Sequence, residues 1–206
     1  MFPSQILLLG YYIINNQVII CFTGWTHMSA GKLKYTVIDY TILGVVAVVA
    51  GLIFYATWFI YYAAEAVGGK ILARIVSYGL WFIGAPLAAS MIRKPLSAFL
   101  GETLGALVET IIPTAGGFTN LIYGIAQGLA SEAAYALFMY RRYDPYIGAL
   151  AGAFAAFPCV ALDAVLFGEI ASPEVMTLWL IAAIVSGAIY GFVGSVVGFT
   201  VTKRKM

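Results

Sequence analysis

Six runs of apolar residues, each close to bilayer-crossing length, decide what this 206-residue chain can fold into. A spanning helix needs about 20 predominantly apolar residues. Runs of that kind lie near 37–62, 71–92, 95–113, 118–140, 145–167 and 174–201. The breaks between them are short and rich in Gly, Pro and charge, as at Gly68-Gly69-Lys70, Arg93-Lys94-Pro95, Pro113-Thr114-Ala115-Gly116-Gly117 and Arg141-Arg142-Tyr143-Asp144-Pro145. The last break runs from Gly168 to Pro173. Breaks this short predict antiparallel helical hairpins, and Pro95 and Pro145 stand where a first-turn proline is tolerated. A soluble domain carries roughly 25% charged residues; here 10% are charged and 63% hydrophobic, with a mean hydropathy of +0.96. The chain lacks the polar surface to stay dissolved, so the prediction is an all-α integral membrane protein whose solvent is the lipid bilayer.

Charge sets the orientation. With both termini cytoplasmic, the inner segments hold Lys32, Lys34, Arg93, Lys94, Arg141, Arg142, Lys203, Arg204 and Lys205, and the outer ones hold Lys70 and Arg74. Nine basic residues against two follow the positive-inside rule, which predicts six transmembrane helices in the cell membrane. A net charge of +2 carries no nucleic-acid signature.

Residues 1–31 stand apart from the six-helix membrane domain, 32–206. The stretch from Ile6 to Phe22 is apolar but interrupted by Asn15, Asn16 and Gln17, and no basic region precedes it, so it matches neither a signal peptide nor a good span. Met28-Ser29-Ala30-Gly31-Lys32 reads as an ordinary protein start. Residues 1–31 are therefore expected to be an extension, with translation beginning at Met28.

Small residues mark the faces where helices approach closely: Gly148, Gly152 and Ala156; Ala183, Gly187, Gly191, Gly194 and Gly198; and Gly44, Ala47 and Gly51. Packing within the monomer is the first reading, and docking of a partner membrane subunit on the helix-one face is the other.

The residues that carry chemistry are acids inside the apolar runs: Glu102, Glu109, Glu132 and Asp163. The sequence places no Lys or Arg at matching depth. Each charge at the bilayer centre costs at least about 2.5–3.5 kcal/mol, so four of them imply protonated hydrogen-bonded acids, a proton relay, or a cavity for a cation. Glu102 and Glu109 are seven residues apart on one helical face, and Asn120, Tyr123 and Gln127 share another. Glu132 lies about 120° round from that second face, so a structural hydrogen-bonding role competes with a ligand role. With Trp58, Trp81 and Asp163, these groups converge on the outer half of the bundle. Aromatic walls beside carboxylates and an amide suit a flat heteroaromatic cation. Tyr61, Tyr62, Tyr140 and Tyr143 are read as interfacial belt residues.

Enzymatic chemistry finds no foothold. The chain has no P-loop, HExxH or GxSxG, and its single His27 and two spaced cysteines, Cys21 and Cys159, build no transition-metal site. The expected ligand set is Trp58, Trp81, Glu102, Glu109, Asn120, Tyr123, Gln127, Glu132 and Asp163, with no cofactor.

Two stretches carry a family resemblance. Leu80-Trp81-Phe82 through Arg93-Lys94-Pro95, followed by Gly101-Glu102 and Ala106-Leu107-Val108-Glu109, is similar to the YkoE-type substrate-binding (S) components of energy-coupling factor (ECF) transporters. So is Tyr123-Gly124-Ile125-Ala126-Gln127-Gly128 with Ser131-Glu132, the Tyr140-Arg141-Arg142 turn and Asp163. The resemblance covers roughly residues 35–200. It implies capture of thiamin or its hydroxymethylpyrimidine precursor outside the cell. It also implies partners: a transmembrane coupling (T) subunit and two cytoplasmic ATPase subunits. Under it, Glu109 and Gln127 would take the aminopyrimidine, Trp58, Trp81 and Tyr123 would stack on the rings, and Asp163 would balance charge. The competing readings are an S component for another vitamin, a stand-alone proton-coupled carrier of an organic cation, and a purely structural membrane subunit. Mass spectrometry of the native protein is expected to find no peptide from residues 1–20; finding one would overturn the Met28 start.

Overall fold

The computed structural model describes residues 10–14, 17–21 and 34–203, and the chain divides into two units, Met1–Lys34 and Tyr35–Met206. In the first unit, strand β1 (Gly10–Ile14) pairs antiparallel with β2 (Gln17–Cys21), Gly10 facing Cys21 and Ile14 facing Gln17. Five of these ten residues are Ile or Val, which suit a strand. The all-α expectation therefore applies to the second unit alone. Met28 lies outside the described residues.

Among the described residues the second unit is built of helices: α1 (Val37–Ser77), a 3-10 turn (Tyr78–Phe82), α2 (Gly84–Ile92), α3 (Ser97–Ile111), α4 (Thr119–Leu137), α5 (Pro145–Leu166) and α6 (Pro173–Lys203). Many of its exposed side chains are large and apolar, among them Val45, Val48, Leu52, Phe157, Ile181 and Val193. Among the described residues, Val37–Ile92, Pro145–Leu166 and Pro173–Thr202 are long and apolar enough to cross a membrane. The helix α3 has 15 residues, and α4 carries Asn120, Gln127 and Glu132 within its length. The second unit is the body of a helical membrane protein.

Local chemistry sets the helix ends. Thr36 caps α1 in a reciprocal box with Asp39, whose carboxylate accepts from the Thr36 amide at 2.6 Å. Asp144 caps α5 and is followed by Pro145 at the first helical position. The helix α1 runs past its expected end at 62 and breaks at Gly68 and Gly69, where Gly69 has φ +68°. The second apolar run is not one continuous helix. It comprises the last turns of α1, the 3-10 turn and α2, with non-α geometry near its middle.

Two acids expected in the ligand site serve these breaks instead. Glu102, fully buried on α3, accepts the Ala85 amide in the first turn of α2 at 2.7 Å. Glu132 on α4 accepts the amides of Leu96 at 2.6 Å and Phe99 at 3.0 Å, at the start of α3. The first amides of a helix have no partner within it, and a carboxylate there also meets the positive end of the helix dipole.

Packing fixes directions. Gly51 abuts Gly105 and Val108, and Trp58 bonds Glu109, so α1 and α3 run parallel. Gly124 abuts Ala106 and Gly128 abuts Phe99, so α3 and α4 are antiparallel. The Ser131–Ala151 and Tyr123–Asp163 bonds make α4 and α5 antiparallel too. Gly148 and Gly152 meet Gly191 and Gly187 across the α5–α6 seam. One end of the bundle consequently holds Asp39, Arg93, Lys94, Glu132 and Arg142, and the other holds Trp58, Arg74, Glu109, Tyr123 and Asp163.

A Cβ on Gly152 would stand 2.0 Å from the Gly187 carbonyl oxygen, whereas one on Gly44 meets nothing within 4 Å. Gly152→Val should cost about 1–3 kcal/mol through overpacking and lower the melting temperature in detergent, while Gly44→Ala should leave it unchanged. Equal melting curves for both variants would contradict this seam.

Candidate functional site

At the second end of the bundle lies a cavity of about 280 Å³, at the lower edge of the range for small-molecule sites. The helix α1 contributes Phe54, Trp58, Tyr61, Tyr62 and Arg74, and the 3-10 turn contributes Tyr78 and Trp81. Glu109 comes from α3, Asn120, Tyr123 and Gln127 from α4, and Cys159 and Asp163 from α5; Phe167 and Glu169 follow α5. The break in the second apolar run is what turns Tyr78 and Trp81 toward this space.

The aromatic residues form two walls. Trp58 meets Trp81 edge to face with centroids 5.3 Å apart, and Tyr62 lies 5.8 Å from Trp58. Opposite, Tyr123 stacks on Phe167 at 6.2 Å. Trp81 is anchored by its indole N–H, which donates to the Phe54 carbonyl at 3.2 Å. Trp58 donates to Glu109 Oε1 at 2.8 Å. Among the described residues the other Glu109 oxygen has no hydrogen-bond partner, although Glu109 is 3% exposed. Asn120 Nδ2 donates to Thr114 at 2.9 Å, and Gly116 leaves no room for a Cβ against the Asn120 amide.

Of the nine expected residues, Trp58, Trp81, Glu109, Asn120, Tyr123, Gln127 and Asp163 line this cavity. Glu102 and Glu132 do not; they terminate α2 and α3 as described above. Tyr61 and Tyr62, read from sequence as belt residues, belong to the cavity wall. The sequence also separated Arg74 from the acids, as an outer-segment charge. In the fold Arg74 is 3% exposed, and its guanidinium meets Asp163 Oδ2 at 2.5 Å. Asp163 further accepts from the Tyr78 and Tyr123 hydroxyls, each at 2.7 Å. Arg74 also contacts Glu169 and Tyr78 and lies 4.4 Å over the Trp179 ring, while Lys70 pairs with Glu169 at 3.2 Å. Asp163 is thus neutralised by the protein. Arg74 sits four residues after Lys70, one helical turn on the same face, so Glu169 meets both cations, but nothing local in the sequence signals the pairing with Asp163.

Removing one partner of a buried ion pair leaves the other charge uncompensated, at a cost of about 3–5 kcal/mol. Arg74→Met should therefore destabilise the protein strongly in thermal unfolding, and Arg74→Met with Asp163→Asn should recover much of the loss. Additive losses in the double variant would show that the two groups do not interact.

Comparison with known proteins bears on what such a site serves. Residues 38–158 match the family described as ABC-type cobalt transport system, permease component. Over 122 residues the chain is 34% identical to YkoE of Bacillus subtilis (strain 168), a protein named as an HMP/thiamine permease. That match covers 58% of this chain and 61% of the relative, so the chain spans about three fifths of the relative's length. A crystal structure of an S-component of an ECF transporter superposes with a TM-score of 0.74 and 26% identity, covering 84% of this chain and 86% of the other. The chain belongs to the permease-component family of ABC-type cobalt transport systems, and its fold is that of an ECF S-component.

Proposed function

We propose that this protein is the substrate-capture subunit of an ECF-type importer and binds thiamin or its hydroxymethylpyrimidine precursor. In this reading six helices cross the plasma membrane with both termini in the cytoplasm, and the cavity opens to the outside. A transmembrane coupling subunit and two ATPases would complete the transporter, since this chain carries no nucleotide-binding motif.

The observation that carries the reading is the Glu109 carboxylate. It is held by the Trp58 indole through one oxygen, lacks a hydrogen-bond partner on the other, and borders a cavity walled by aromatic rings. An exocyclic amine or ring N–H of a flat cation would complete its hydrogen bonding in a low-dielectric setting. Rings beside it supply stacking and cation–π contact, each about 0.5–2 kcal/mol. Formal charge leans the same way: Glu65, Glu109, Asp163 and Glu169 line the cavity against Lys70 and Arg74. The name of the YkoE relative supports the choice of vitamin.

The family description mentions cobalt. Among the described residues no group of three His, Cys, Asp or Glu side chains could hold a metal ion. A Co²⁺ or Ni²⁺ site calls for nitrogen or sulfur donors, so the donor set favours an organic ligand. A proton relay through Glu102, Glu109 and Glu132 is less well supported, because Glu132 is committed to amides of α3 through both oxygens.

Trp58 and Trp81 make the test direct. Titrating the purified protein with thiamin and with hydroxymethylpyrimidine should give a saturable change in tryptophan fluorescence for at least one; no response to either would sink the assignment. Glu109→Gln should weaken binding about tenfold or more, while Glu132→Gln should lower stability and leave the Kd of the folded fraction unchanged.

A further inference from the structure

We infer that Glu169 is a specificity-determining residue that commits both cations of the cavity, so that the site accepts an aromatic cation with an uncharged tail and rejects its phosphate esters. The inference rests on the proposed function for the ring system and goes further by fixing the charge of the substrate's remaining part.

Lys70 and Arg74 are the cationic side chains on the cavity wall. A phosphate entering the site would need one of them, because an anion stripped of water without a partner is strongly disfavoured. Both are paired with carboxylates, Arg74 in a buried setting and Lys70 with its side chain 58% exposed. Arg74 is engaged by Asp163 with one terminal nitrogen and by Glu169 with the other. Lys70 is paired with the second Glu169 oxygen at 3.2 Å. Glu169 thus bridges the two, and it can do so because Gly168, at φ +62°, turns the chain just after α5. The carboxylates beyond these pairs, Glu109 and Glu65, would repel a phosphate lying near them. A hydroxyl tail meets no such penalty, since it can both donate to a carboxylate and accept from a phenol. Like-charge juxtaposition is a general means of excluding a wrong partner.

The experiment compares binding of thiamin and thiamin monophosphate to the purified full-length protein by tryptophan fluorescence or calorimetry. The parent protein should bind the phosphate ester at least about tenfold more weakly. Glu169→Gln, which releases Lys70 and one side of Arg74, should shrink that ratio about fivefold or more, and Glu169→Asp should preserve it. A merely structural role for Glu169 would weaken both ligands together and leave the ratio unmoved, which would overturn the inference. Glu65→Gln, which disturbs no ion pair among the described residues, gives a second route to a smaller ratio should Glu169→Gln fail to fold. Equal affinities of the parent for both ligands would overturn the inference while leaving the proposed function standing. Binding of neither would remove the proposed function and this inference with it.

Discussion

A backbone amide released from its helix inside lipid finds no water, so the protein must supply its partner. That requirement shapes the middle of this chain. The second apolar run is interrupted by a 3-10 turn, so that α2 begins within the packed bundle, while α3 begins after a short turn at the bundle's end. Each beginning presents unpaired amides, and each is met by a carboxylate from a neighbouring helix, Glu102 for α2 and Glu132 for α3. Charged side chains that look extravagant in an apolar sequence are here the partners of backbone groups. The interruption they permit is also what directs Tyr78 and Trp81 into the cavity.

The remaining acids divide by what they face. Asp163 is surrounded by Arg74, Tyr78 and Tyr123, with every interaction made inside the protein. The pair's effect is to hold the end of α1 against α5 and to set the far wall of the cavity. Glu109 receives one indole N–H and keeps an oxygen without a hydrogen-bond partner. Of the four intramembrane acids, it alone combines a cavity position with unfilled hydrogen-bonding capacity. That contrast, more than the presence of acids as such, points to where a cation would bind.

Close helix contact supplies the rigidity behind this arrangement. Without a hydrophobic drive between helices in lipid, association depends on backbones approaching closely. Glycines at 148, 152, 187 and 191 allow that approach along α5 and α6, and Gly51 and Gly105 allow it between α1 and α3. The cavity therefore lies between helices whose separations are fixed by backbone contact. The Trp58 wall is tied to Tyr123 through α3, which meets α1 at Gly51 and Gly105 and meets α4 at Gly124 and Gly128.

The sequence by itself determined the lipid solvent, the succession of apolar segments and their breaks, and the gathering of Trp58, Trp81, Glu109, Asn120, Tyr123, Gln127 and Asp163 at one end. These follow from hydropathy, helical periodicity and the alternating direction of short hairpins, all of which are local. The tertiary structure alone decided which acids belong to the cavity. Glu102 and Glu132 share helical faces with cavity residues or lie near them, yet their partners are amides of α2 and α3 far from them in the chain. Arg74, which the sequence set apart as a loop charge, reaches Asp163 eighty-nine positions away because α1 continues beyond its expected end and the chain folds back at Gly68 and Gly69. Pairing of charges across such distances depends on which helices become neighbours, and no local pattern encodes it.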